Sequence, residues 1–190
     1  MNAPVLKFEV EPSHDAEVRA ALDVINGVRF SSENRIYPIL RFMAQSSKDV
    51  AMDIFSRTWT SCDNTWPVTT HLVNSLLRVG DGVGFTKFLS AEDAEWFASL
   101  EENVTIYRGC SEYRAWGASW TTSRMVAESF ARGHRGIEVF YPVISTAVIP
   151  KELILFASND RGEQDIVVNP RRLRKRVVER YISDATKSCH

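Results

Sequence analysis

Val104-Thr-Ile-Tyr-Arg-Gly109 is the stretch at which the chain changes character. Before it, apolar residues recur at helical spacing. From Asn103 onward, short β-branched and aromatic runs are bounded by Gly, Pro, Asn or Asp, which is the pattern of strands. Val139-Phe-Tyr-Pro-Val-Ile-Ser145, Leu153-Ile-Leu-Phe156 and Ile166-Val-Val168 repeat it. Between the first two runs, Val126, Ala127, Phe130 and Ala131 share one face of a helix that Ser123 caps and Gly133 ends. One helix on a sheet follows, and with helices before it the class is α+β.

Working backward, residues 13 to 100 predict four or five short helices. Ser13 is placed as an N-cap, and Val18, Ala21, Leu22, Ile25 and Val28 follow at 3.6-residue spacing. Further helices are expected over Ile36 to Met43, Val50 to Trp59, Val68 to Val79 and Ala91 to Leu100. Ser46-Ser47, Cys62-Asp-Asn-Thr65 and Gly80-Asp-Gly-Val-Gly84 separate them with turn chemistry. The last helix is supported by Ser90 as cap with Glu92 and Asp93 at its positive end.

With 190 residues, 44% apolar and 25% charged, the chain can bury a sizeable core, so a folded rather than a disordered protein is expected. A formal net charge of −1 supplies no global field for nucleic acid or anionic lipid. Any such contact must come from the Arg171-Arg-Leu-Arg-Lys-Arg176 run, through Arg171, Arg172 and Arg174. Cys62, Cys110 and Cys189 leave an odd thiol and no ligand spacing, which argues for a reducing compartment. No basic leader and no run near ~18 apolar residues is present, so the expectation is a cytoplasmic protein without a membrane span.

Three polar signatures carry the chemistry. Arg108 follows Tyr107 at the end of a strand and offers a planar fork to a phosphate or ribose oxygen; taken alone, it reads as a surface arginine ending an edge strand. Ser119-Trp-Thr-Thr-Ser123 leads into the helix, with Thr122 and Ser123 explained as capping residues and Thr121 as a hydroxyl able to reach a carboxylate. In Arg161-Gly-Glu-Gln-Asp-Ile-Val-Val168, Glu163 and Asp165 are two apart on an expected strand, hence on one face. Other candidates are weaker. His71 and His134 lack ligand-spaced neighbours, so no metal is expected. Cys110 has a cation two residues away that could lower its pKa, but no histidine stands at a recognisable position to pair with it, and Gly80 to Gly84 lacks the Lys-Ser/Thr of a phosphate loop.

In this order the signatures resemble the arginine, serine, glutamate pattern of the ADP-ribosyltransferase family. The resemblance implies an ADP-ribosyltransferase-like split β-sandwich over residues 103–182, a helical N-terminal region over 1–102 packed on it, and a tail over 183–190. It implies NAD+ as co-substrate, cleaved at the nicotinamide–ribose bond, with ADP-ribose passed to a macromolecular acceptor, a protein in the first instance. Arg108 then engages the dinucleotide, while Tyr107, Gly109, Trp120 and Phe130 line its pocket. Thr121 stands at the first-serine position and orients the acid. The second acid of the family's pair engages the nicotinamide ribose and the first, in arginine-modifying members, activates the acceptor. Here the second is Asp165 rather than the usual Glu, one methylene or ~1.5 Å shorter. Glu163 and Asp165 thus both remain candidates for the principal acid. The alternative is a non-catalytic module that keeps the fold and binds a protein or nucleic acid.

Overall fold

The computed structural model describes residues 13–81, 84–133, 137–174 and 176–182. Gly82, Val83, His134, Lys175, Cys189 and the tail over 183–190, singled out in the sequence, lie outside the described residues.

Helix α1 runs His14–Ile25, with the Ser13 hydroxyl accepting from the Ala16 amide. Val18, Ala21 and Ile25 are buried as their spacing predicts. Val28 is not: the helix ends at Ile25, Asn26 takes the C-cap, and Val28 is exposed. Helices α2 (Ile36–Gln45), α3 (Lys48–Thr58) and α4 (Thr69–Gly80) follow. In α3, Val50, Ala51, Met52, Ile54 and Phe55 are all buried, because α1, α2 and α4 pack around it. Helix α5 (Ala91–Ser99) begins where the Ser90 hydroxyl accepts from the Asp93 amide.

The strands are β1 (Asn103–Ser111), β2 (Ser119–Thr121), β3 (Pro142–Pro150), β4 (Ile154–Ser158), β5 (Asp165–Val168) and β6 (Val177–Arg180), with helix α6 (Arg124–Ala131) between β2 and β3. They form one six-stranded sheet of order β4-β5-β2-β1-β3-β6, and every pairing is antiparallel. The fold is α+β. Where the resemblance implies a split sandwich, the described strands lie in a single sheet, because β1 and β3 pair without a break from Asn103↔Pro150 to Ser111↔Pro142. The weak seam is elsewhere: β1 and β2 pair only at Tyr107↔Thr121.

Two strand expectations change. The run beginning at Val139 becomes strand only at Pro142, since Tyr141 takes the left-handed conformation, φ 49°, and turns the chain first. Ser119–Thr121, expected to lead into the helix, is strand because it is paired on both sides, to β1 and β5. Val177 and Val178 belong to β6, on an outer edge of the sheet, and are exposed.

Alternation in β5 explains how the layers meet. Ile166 and Val168 point into a cluster with Trp120, Ile106 and Ile154, closed by Trp96, Phe97 and Leu100 at and just after α5. Val167 points the other way, into the large cluster built from α1 to α4 together with Phe156 and Ala118. Both faces of β5 are covered, which is why it reads as an unbroken apolar run. The helical region and the sheet therefore share a core, and residue 102 divides element types rather than separate bodies.

Candidate active site

Register places one row of side chains across three strands. Tyr107 pairs with Thr121, and Thr121 with Asp165, and directly opposed residues share a sheet face. Val167, two residues beyond Asp165, shows which face this is: the one covered by the α1 to α4 layer. Helix α6 lies on the same side, since Ile144, which pairs with Gly109, packs with Ala127 and Ala131. Gly109 permits that approach: a Cβ there would overlap the Ala127 carbonyl oxygen.

Between the helical layer, α6 and this row lies a cavity of about 350 Å³. Tyr107, Arg108, Gly109, Trp120, Thr121, Phe130, Glu163 and Asp165 all border it. Sequence separation between the first and last of these is bridged entirely by the pairing of β1 with β2 and β2 with β5. Their roles in the geometry differ from those expected in four respects.

Arg108 is neither at a strand end nor on the surface. It starts on the face opposite Tyr107, half-buried, and its guanidinium closes the splayed seam between β1 and β2. Nη1 donates to the Ser119 carbonyl at 2.5 Å and Nε to the Arg114 carbonyl at 3.1 Å. A side chain at Gly117 would overlap it. Burial lowers its pKa and the nearby Arg114 charge adds to that, against Cys110, yet an arginine stays charged at neutral pH. Arg114, which also borders the cavity, keeps a buried Nε without a partner.

Trp120 is 2% exposed, its indole in the cluster behind the sheet and its Nε1 donating to the Gly117 carbonyl at 2.9 Å. It backs the cavity and presents no ring to a ligand. Thr121 does not hold a carboxylate by its hydroxyl: Oγ1 donates to the Glu163 main-chain carbonyl at 2.7 Å and accepts from the Ser123 amide at 3.0 Å. It thus fixes the backbone that carries the acids. Ser123 caps α6 as expected, accepting from Val126.

Glu163 and Asp165 are not two positions of one strand. Strand β5 starts at Asp165, Glu163 has helical dihedrals, and Gln164 between them is left-handed at φ 51°. Both nonetheless border the cavity, because the turn over 159–164 delivers Glu163 to the place where the strand delivers Asp165. That turn also holds Arg161 at φ 59°, a conformation costing a non-glycine residue roughly 1–2 kcal/mol. Tethers offset the cost. The Asp93 carboxylate accepts from the Asn159 amide at 2.6 Å and from the Ser158 hydroxyl at 3.3 Å, and the Thr60 hydroxyl donates to Asp160 at 2.7 Å. Thr122 completes the set through its amide and hydroxyl, both donating to Gln164.

The opposite wall was missed by sequence. It comes from the turn after α3, where Trp59, Thr60, Cys62, Asn64 and Trp66 border the cavity. Asn64 keeps a buried, unpartnered Oδ1. The only local signal was turn chemistry, which marks a break and says nothing of what the break faces. The thiols are subdued by their surroundings: burial raises Cys110 against the pull of Arg108, and pushes Cys62 up to about 12.

The arrangement is bipolar. The Arg108 guanidinium sits beside Ser119, and the acids beside Thr121, two residues or about 6.6 Å along β2. Such a site can hold a diphosphate at one end and stabilise a developing cation at the other. Among the described residues, no group of His, Cys, Asp and Glu side chains is disposed to hold a metal ion, and no helix is long and apolar enough to cross a membrane. No protein-family model, curated protein or solved structure matches the chain.

Proposed function

We propose that the chain is an NAD+-dependent ADP-ribosyltransferase with an ADP-ribosyltransferase-like sheet, acting on a macromolecular acceptor. The observation carrying this reading is the convergence on one cavity of a guanidinium from β1, a hydroxyl from β2 and two acids at the head of β5, on three adjacent strands. NAD+ supplies the leaving nicotinamide and the ADP-ribosyl group. Arg108 and Arg114 hold the diphosphate by charge-assisted hydrogen bonds. Tyr107 and Phe130 flank the ring. Asp165 faces the ribose carbon where positive charge develops, and Glu163 takes the acceptor's proton, with Thr121 holding the turn that sets the distance between them.

A second reading, a binding module of the same fold without turnover, is favoured by the one-methylene-shorter Asp165. Nicotinamide release measured with purified protein and NAD+ separates the two. Release that disappears in Asp165→Asn supports the enzyme; absence of release, whether or not calorimetry detects NAD+ binding, removes the enzyme and leaves the module.

A further inference from the structure

A second concavity, about 410 Å³, lies beside the first and shares Trp66 with it. Its other walls are Trp116, Pro67, Pro170, Thr70 and Arg171, with no acid among its lining residues. Trp116 is 54% exposed, and the Arg176 guanidinium sits over its ring at 3.0 Å from the centroid while donating to the Ala115 carbonyl. Arg171, Arg172 and Arg174 are exposed, and none makes an ion pair among the described residues. On a chain of net charge −1, Arg171 borders this groove and Arg172 and Arg174 follow it along the chain, a local concentration of positive charge.

We propose that this groove binds single-stranded nucleic acid and leads it past Trp66 into the cavity, where it is the acceptor. The two features answer the two halves of a nucleotide. Unstacked bases lie against indoles irrespective of sequence, and phosphates pair with guanidinium groups. A duplex offers no free base faces and does not fit a concavity of this size. A proline-rich peptide would use the indoles and leave the arginines idle, while an acidic peptide would do the reverse. The docking stands on the groove alone; the acceptor role rests on the reading above. In that step the ribose C1′ bond to nicotinamide breaks, nicotinamide leaves with the electron pair, a base nitrogen or oxygen forms the new C1′ bond, and its proton passes to Glu163.

The test is fluorescence anisotropy of labelled dT12 and U12 with the full chain, without NAD+, across a salt series. Binding of either strand is expected, with a log–log salt slope of about −2 for three phosphates. The two arms tell DNA from RNA. Replacing Arg171, Arg172 and Arg174 together with alanine should flatten the slope and weaken binding at least tenfold. Trp116→Ala should weaken binding several-fold with the slope unchanged, and Trp116→Phe should restore it. Absence of binding by both strands, equal displacement by polyglutamate, equal binding of a duplex, or indifference to Trp116→Ala would each overturn the proposal. Because the assay omits NAD+, such a failure leaves the NAD+ reading standing. Conversely, tight binding of dT12 or U12 without nicotinamide release retires the enzyme and keeps the groove.

Discussion

The sheet and the helical layer contribute to the cavity in different ways. From the sheet come the side chains with chemistry, and each is held by neighbours a strand away: Arg108 by the Ser119 carbonyl, Thr121 by the Glu163 carbonyl, Asp165 by its register with Thr121. From the helical layer come a wall and two tethers, Thr60 and Asp93, that reach across to the turn over 159–164. Chemistry therefore resides in one region while its placement depends on the other, and substitutions in the two should fail in different ways.

The largest effect is expected from the sheet. Asp165→Asn should slow nicotinamide release on the order of 10²–10³-fold with little change in NAD+ affinity, whereas Glu163→Gln should keep release and lose transfer. Measured release by both variants decides this, and if neither slows, the division of labour between the acids is wrong. Gly109→Ala comes next, since its Cβ would meet the Ala127 carbonyl and push α6 off β1. A cost of about 1–3 kcal/mol is expected, read as a lower midpoint in denaturant with unchanged slope. Arg108 belongs to the same class: alanine there removes two main-chain hydrogen bonds, so stability should fall together with NAD+ affinity.

The tethers sharpen the comparison. Thr60→Val and Asp93→Asn together should reduce turnover about tenfold while substrate affinity and far-ultraviolet circular dichroism stay near the parent, because only the turn carrying Glu163 loosens. A pair of variants as active as the parent would show that the helical layer merely covers the site.

Within the helical layer, the smaller effects concern stability. Burial raises the Asp53 carboxyl, but the hydrogen bonds and charges of Arg57 and His14 outweigh it and hold the pKa below its ordinary 3.8. The stabilisation is complete above that value and is lost as pH falls through the folded value. Asp53→Asn should remove the part of the acid-induced melting-temperature loss that lies below pH 4, leaving activity at neutral pH intact. The smallest effect is chemical. With its thiol pushed up to about 12, Cys62 should react with a thiol reagent at pH 8 far more slowly in the native protein than in denaturant. Fast native labelling there would mean that the turn after α3 opens.

Local patterns carried a good deal of this. Ser13, Ser90 and Ser123 each cap the helix their spacing announced, and the α2 to α5 boundaries fall within a few residues of the apolar periodicity. Strands were less legible. At three residues, β2 is too short for alternation to register, and its identity comes from partners on both sides. The placement of Glu163 and Asp165 on one face presumed a strand, whereas Gln164 at φ 51° turns the chain, and they meet in the cavity for a different reason.

By itself, then, the sequence determined the class, the helices with their caps, and the residue types that gather at the cavity, because helix periodicity and capping act over three or four residues. Only the tertiary structure decided that the strands form one sheet, that Trp120 faces the core, that Arg108 bonds main-chain carbonyls, and that the turn after α3 walls the cavity. Those outcomes depend on contacts such as Thr60 with Asp160, a hundred residues apart, and long-range pairing leaves no periodicity in the chain to read.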